Sequence, residues 1–232
     1  MRTMCGTALL TVALVGVAFA APASAATLAD WQMNEAPGAH TMVDSSGHVN
    51  GSIGSAVQTG LSVQGAVAYH WAFASPTMPP AKPERLVQAN SSSLNPGSGN
   101  YTVTMRYRTR QHFGNMVQKG QAGSTGGYFK IENPGGHINC VFRGKVNGAL
   151  KRKAVESPAV LSNNSWHLVV CGRIGFKLTL KIDGSVVDTA SGKTGSISNS
   201  RPITIAGKLN CDQITTTCDY FTGDIDYIKI TN

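Results

Sequence analysis

The sequence is short of negative charge, lacks a C-x-x-C pair, and contains no apolar run long enough to cross a bilayer. Asp and Glu number 12 against 20 Lys and Arg, a formal net charge of +8. A membrane-spanning helix needs about 20 apolar residues, and the only candidate, residues 8–21, is shorter. The missing C-x-x-C spacing speaks against zinc or thioredoxin-like chemistry. No G-x-S-x-G elbow is present, so serine hydrolysis has no support. No segment sustains a 3.6-residue apolar period between helix caps, which turns the reading away from helical and α/β folds.

What is present at the start is a targeting pattern. Arg2, the apolar run 8–21 and Ala23-Ser24-Ala25 together form a secretory signal peptide over residues 1–25. The mature chain is therefore expected to be one secreted, extracellular domain over residues 26–232. Loss of Arg2 lowers the formal charge from +8 to +7, and loss of Cys5 leaves Cys140, Cys171, Cys211 and Cys218. Four cysteines in an exported chain imply two disulfides, with three possible connectivities.

Period-two alternation marks the strands. In residues 101–108 the large apolar side chains fall on one face and Thr or Arg on the other. Residues 176–183 repeat the pattern with Phe176, Leu178, Leu180 and Ile182 inward and lysines outward. Asp183-Gly184, followed by Val186-Val187, is a hairpin signal. Further strands are expected at 128–132, 137–143, 166–173, 202–206 and 225–230, separated by turn residues such as Asn133-Pro134-Gly135-Gly136 and Asn147-Gly148. Residues 75–96 read as a long connection. Many short strands at regular spacing predict an all-β sandwich or barrel. If Ile138, Cys140 and Phe142 share a face, a Cys140–Cys171 bridge would staple neighbouring strands. Cys211 and Cys218 would close the short loop 212–217, and this pairing is the expected one.

Several stretches, in order, carry a resemblance. They are Trp31-Gln32-Met33-Asn34-Glu35 with Val43-Asp44-Ser45-Ser46-Gly47, Tyr101-Thr102-Val103 leading to Val117-Gln118-Lys119-Gly120, Ser165-Trp166-His167 with Ile182-Asp183-Gly184, and Phe221-Thr222-Gly223-Asp224-Ile225-Asp226. Together they resemble bacterial laminin-G-like jelly-roll domains of the concanavalin A-like lectin/glucanase superfamily. The resemblance implies an antiparallel two-sheet jelly-roll sandwich, a scaffold shared by lectins, glycanases, lyases and adhesion modules. Laminarinase-like members carry a Glu-x-Asp-x-Glu strand in mid-chain. Here Asp224-Ile225-Asp226-Tyr227-Ile228 departs from it at both ends and lies on the final strand. Alginate-lyase-like members combine an Arg-rich strand with a Tyr-Phe-Lys strand; Tyr107-Arg108-Thr109-Arg110 and Tyr128-Phe129-Lys130 match only fragments of these.

The reading is accordingly a secreted, non-catalytic binding module that takes carbohydrate or another extracellular ligand. The alternatives are a jelly-roll lyase or glycanase on an acidic glycan, and a structural or adhesion module. Asp226 alternates with Ile228 and Ile230, so it is expected inward, near the first strand. Asn34, Glu35, Asp44 and Asp226 could then supply oxygen ligands to a structural Ca²⁺. Arg106, Arg108, Arg110, Tyr128 and Asn139, with Tyr107, Phe113 and Tyr220 as exposed aromatics, are the candidate ligand contacts. Lys151-Arg152-Lys153 beside Lys145 forms a basic knob suited to acidic polymers. No nucleic-acid motif accompanies it, and the chain is expected to be a monomer.

Overall fold

The computed structural model describes residues 25–75, 81–211 and 218–232. All but the last residue of the expected signal peptide, and the loop between Cys211 and Cys218, thus fall outside the described residues. Among those described, sixteen strands follow in chain order. They begin with β1 (Thr27–Trp31), β2 (Thr41–Met42), β3 (Gly51–Ile53), β4 (Gln58–Val63), β5 (Ala66–Trp71) and β6 (Val87–Ala89). The middle comprises β7 (Tyr101–Arg108), β8 (Asn115–Lys119), β9 (Tyr128–Glu132), β10 (Asn139–Val146) and β11 (Ala149–Glu156). The last are β12 (His167–Ile174), β13 (Lys177–Ile182), β14 (Ser185–Ser191), β15 (Ile203–Ile205) and β16 (Gly223–Thr231).

Two antiparallel sheets result. The first has the order β14-β13-β12-β7-β16-β5-β4, with β1 also on β16; the second runs β11-β10-β9-β8-β15-β6-β3-β2. This is the expected jelly-roll sandwich. In β7 the alternation is realised residue by residue: Tyr101, Val103, Met105 and Tyr107 are buried, whereas Thr102, Thr104, Arg106 and Arg108 face outward. The core between the sheets gathers Trp31, Trp71, Tyr69, Phe129, Phe142 and Phe221 with the branched residues of both inner faces. Each such side chain contributes about 1.5–3 kcal/mol by leaving water. The Asn147-Gly148 and Asp183-Gly184 pairs take positive φ at both positions, the two-residue hairpin geometry that matches strand twist. They connect β10 to β11 and β13 to β14.

Four expectations change. Cys140 and Cys171 do form a disulfide, with Cα atoms 6.0 Å apart. Their strands, β10 and β12, belong to different sheets, so the bridge ties the two layers face to face and does not join neighbouring strands. Cys211–Cys218 is the second disulfide. Residues 75–96 include β6, which pairs with β15 and β3 inside the second sheet. Phe176 does not join the inward face of β13; it sits in the turn before it and is 65% exposed. Finally, β16 carries a bulge between Ile225 and Tyr227. Inward positions therefore step from Ile225 to Ile228 and Ile230, and Asp226 is left on the outer face.

Candidate functional site

The bulge explains where the two carboxylates of β16 go. Its first half pairs with β5 and its second half with β1, and both halves pair with β7. Register then fixes the chemistry: Asp224 stands opposite His70 on one side and Arg108 on the other. Its Oδ1 lies 2.7 Å from His70 Nδ1, and its Oδ2 accepts from Arg108 Nε at 2.8 Å and Nη2 at 2.7 Å. Burial of this 1% exposed residue opposes ionisation. The bonds from His70 and Arg108 outweigh it and hold the carboxyl below the usual range. One residue pair further along, Asp226 accepts from Arg106 Nη1 at 2.6 Å, and that guanidinium lies 4.8 Å from the centre of the Trp166 ring.

At the end of this row the chain opens into a cleft of about 330 Å³. Asp224, Arg108 and His70 form one wall, Arg110, Gln111 and Asn164 another, and Phe73 stands at the mouth, 79% exposed. Thr109 fixes the floor by donating its hydroxyl to Thr222 O at 2.6 Å and accepting Asn164 N on its carbonyl at 2.8 Å. Gly223, at φ +136, lets β16 approach closely, since a Cβ there would lie 2.4 Å from Arg108 O. Among the described residues Arg110 has no ion-pair partner, and the buried Gln111 Oε1 has no hydrogen-bond donor.

The arrangement does not poise Asp224 as a general acid. A general acid needs a raised carboxyl pKa, whereas Asp224 is held ionised by two cationic or donor groups. The lyase-like fragments also fail to meet. Arg106 and Arg108 lie on β7 in one sheet, while Tyr128 and Lys130 lie on β9 in the other. Both pairs face outward, on opposite sides of the sandwich.

The five expected ligand contacts divide accordingly. Arg108 and Arg110 line the cleft, whereas Arg106 lies outside it, paired with Asp226 and stacked on Trp166. Tyr128 is 7% exposed beside Lys130, and Asn139 donates to Glu132 Oε1 at 3.3 Å on the second sheet. Tyr107 and Tyr220, expected as exposed aromatics, are fully buried. His70, Phe73 and Asn164 are site residues that pattern reading missed, because none lies in an alternating stretch that marks it.

The four expected calcium ligands do not fit the ion. Both Asp44 oxygens are already used: Oδ1 accepts Asp30 N, Ser46 N and Ser46 Oγ, and Oδ2 accepts His48 N and Val49 N, at 2.7–3.0 Å. Burial would raise this carboxyl, but those bonds hold it low. Asp44 thus organises its own turn. Glu35 accepts Val43 N at 2.7 Å and Tyr69 Oη at 2.5 Å, Asp226 is paired with Arg106, and Asn34 is exposed. Among the described residues no three His, Cys, Asp or Glu side chains gather as a metal site. Chelation is expected to shift the melting temperature by less than about 1 °C; a drop of several degrees in EDTA, reversed by added calcium, would contradict this assignment.

Comparison with known structures places the architecture. The binding domain of botulinum neurotoxin DC, in complex with SialylT, aligns with a TM-score of 0.62 and 15% identity, covering 88% of this chain and 47% of that one. A botulinum neurotoxin type C structure aligns at a TM-score of 0.57 with 17% identity, again over 88% of this chain and 47% of that one. Domains LG4-5 of the mouse laminin alpha1 chain share 22% identity over 58% of this chain and 36% of theirs, at a TM-score of 0.44. The chain thus spans about half the length of these proteins or less. No curated protein matches the sequence significantly. The model of Laminin_G_3, in the concanavalin A-like lectin/glucanases superfamily, matches residues 84–232, and the chain belongs to that family.

Proposed function

We propose that this protein is an extracellular, non-catalytic carbohydrate-binding module whose sugar site is the cleft beside Asp224. The observation that carries the reading is Phe73, 79% exposed at the mouth of a cleft walled by fixed planar polar groups. An aromatic face offers a platform for the C–H face of a pyranose. The exposed Arg110 guanidinium and the Asn164 amide offer hydroxyl partners, and the buried Asp224 holds His70 and Arg108 in place along the same wall. Pre-formed donors and acceptors cost little ordering on binding.

Two further facts support the reading. The similar neurotoxin domain is in complex with SialylT, and cell entry of neurotoxin type C is dependent upon interaction with two ganglioside molecules. Two disulfides, and the absence of any membrane-crossing helix among the described residues, accord with an extracellular chain.

A glycan array followed by calorimetry tests the site. Phe73→Ala is expected to weaken the best glycan roughly tenfold to a hundredfold, about 1.4–2.7 kcal/mol, with the melting temperature unchanged because the side chain is solvated. Wild-type affinity in that variant, or turnover of the bound glycan by the intact protein, would overturn the proposal.

A further inference from the structure

A second cleft, of about 400 Å³, lies at the other end of β7. His167 pairs with Tyr107 and Arg173 with Tyr101, so the turn holding Gly175 and Phe176 is at the Tyr101 end, away from Asp224. Eight strand residues separate the two ends, about 23 Å at 3.3 Å per residue. The lining includes Lys145, Phe176, Lys193, Thr194 and Ser196, with no acidic side chain among its members.

This cleft is built and not merely a gap between loops. Lys145 and Ser196 exchange both backbone hydrogen bonds, at 2.8 and 3.0 Å. Arg173 donates to Thr194 Oγ1 at 3.0 Å and Gly195 O at 3.1 Å, pinning the same wall from the inside. Phe176 is 65% exposed, and the Lys193 ammonium stands 5.6 Å from its ring centre. More positive charge borders the cleft. Lys151 pairs with Gly144, whose side of the sheet is closed by Gly195 and Ser196. Lys151 and Lys153 therefore share that side of β11, and the Lys153 ammonium reaches the backbone beside Gly192. None of Lys145, Lys151, Lys153 and Lys193 has an ion-pair partner among the described residues. The nearest acids along the same edges, Glu156 and Asp188, lie further along β11 and β14, and Asp188 is turned to Glu156 N at 2.9 Å.

We infer that this basic cleft is a second carbohydrate subsite, specific for a sugar bearing a carboxylate or sulfate. Phe176 supplies the stacking face, and Lys193 meets the anionic group, as charge-assisted bonds favour. Lys153, whose ammonium lies beside Gly192, extends the positive charge next to Lys193, while Lys145 projects from the opposite face of β10. A module with sites at both ends of one strand can bridge two glycan chains, gaining avidity without new contacts.

The test uses the intact protein in 150 mM salt, where unspecific charge attraction is screened beyond about 8 Å. The probes are polygalacturonate and dextran sulfate, with neutral dextran, duplex DNA and polyphosphate as competitors. Lys153→Gln/Lys193→Gln is expected to weaken at least one acidic glycan tenfold or more, and Phe176→Ala about tenfold, while neutral dextran fails to compete. Phe73→Ala retains this binding, so failure at one cleft is distinguishable from failure at the other. Full binding by both basic-cleft variants would overturn the inference. So would loss in the lysine variant alone with DNA or polyphosphate competing as well as the glycans, since that outcome is charge without sugar recognition.

Discussion

Replacing Arg173 with methionine is expected to lower the free energy of unfolding by about 3–5 kcal/mol, one of the largest losses for a single side chain in this fold. The residue is 1% exposed, yet among the described residues no carboxylate pairs with it. Its charge is solvated by the backbone. Nε donates to Gly99 O at 2.8 Å, Nη2 to Pro96 O at 2.6 Å and Gly97 O at 3.1 Å, and Nη1 to Thr194 Oγ1 and Gly195 O. Phe142 lies 5.0 Å beneath the guanidinium. Burial lowers the pKa to about 10, with the Tyr101 phenol opposing it, so the group stays charged throughout the neutral range. Methionine fills a similar volume but donates nothing, and the Pro96, Gly99 and Gly195 carbonyls from two loops lose this donor together, while Gly97 O keeps its bond from Ile197 N at 2.9 Å. Each buried, unsatisfied polar group costs about 1–3 kcal/mol, and opening of the loops to water limits the sum. Arg173→Lys keeps the charge on a compact head and cannot span both loops, so an intermediate loss of about 2 kcal/mol is expected. Urea denaturation measures both. A midpoint within error of wild type for the methionine variant would show that the five bonds contribute nothing net.

Arg173 was legible as a strand residue and illegible as a pin. The strand pattern around it placed β7, β12, β13 and the Asp183-Gly184 hairpin, because period-two alternation and Asp-Gly turns are local signals. Asn147-Gly148 was readable as a turn, but the lysine-rich β11 that follows it was not readable as a strand. The role of Arg173 depends on loops 74 to 77 residues before it and 21 to 22 after it, which no local pattern encodes. The same limit hid β6, a strand of three residues, too short to display a period. The β16 bulge had the opposite effect, since alternation alone assigned Asp226 to the core and one extra residue reversed the face. That reversal turned an expected inward calcium ligand into the outward partner of Arg106. At the candidate cleft, the Asp224 and Arg108 strands were readable. His70 and Phe73 were not, because they enter the site only through the pairing of β5 with β16.

Removing the Cys140–Cys171 bridge by Cys140→Ala/Cys171→Ala is expected to cost about 4 kcal/mol, against about 2.5 kcal/mol for removing Cys211–Cys218, by the loop-entropy relation. The sequence separations are 31 and 7, so the first bridge restricts the unfolded chain more. Position adds to this difference. Cys140 and Cys171 are fully buried in the core and join the two sheets, so truncating both also leaves unfilled volume between the layers. Where those layers approach at their edges, the hydrogen bond from Glu156 N to Asp188 Oδ2 is exposed and offers only weak compensation. For a domain of this size, 4 kcal/mol corresponds to a fall in melting temperature of about 8–16 °C. Paired replacement avoids leaving a reactive thiol, and thermal denaturation of the two double variants under non-reducing conditions gives the comparison. A larger fall for the Cys211 and Cys218 pair would mean that the loop it closes, and not the joining of the sheets, governs stability. The expected order would instead identify the inter-sheet bridge as the tie that keeps the Asp224 cleft and the basic cleft at fixed ends of one rigid sandwich.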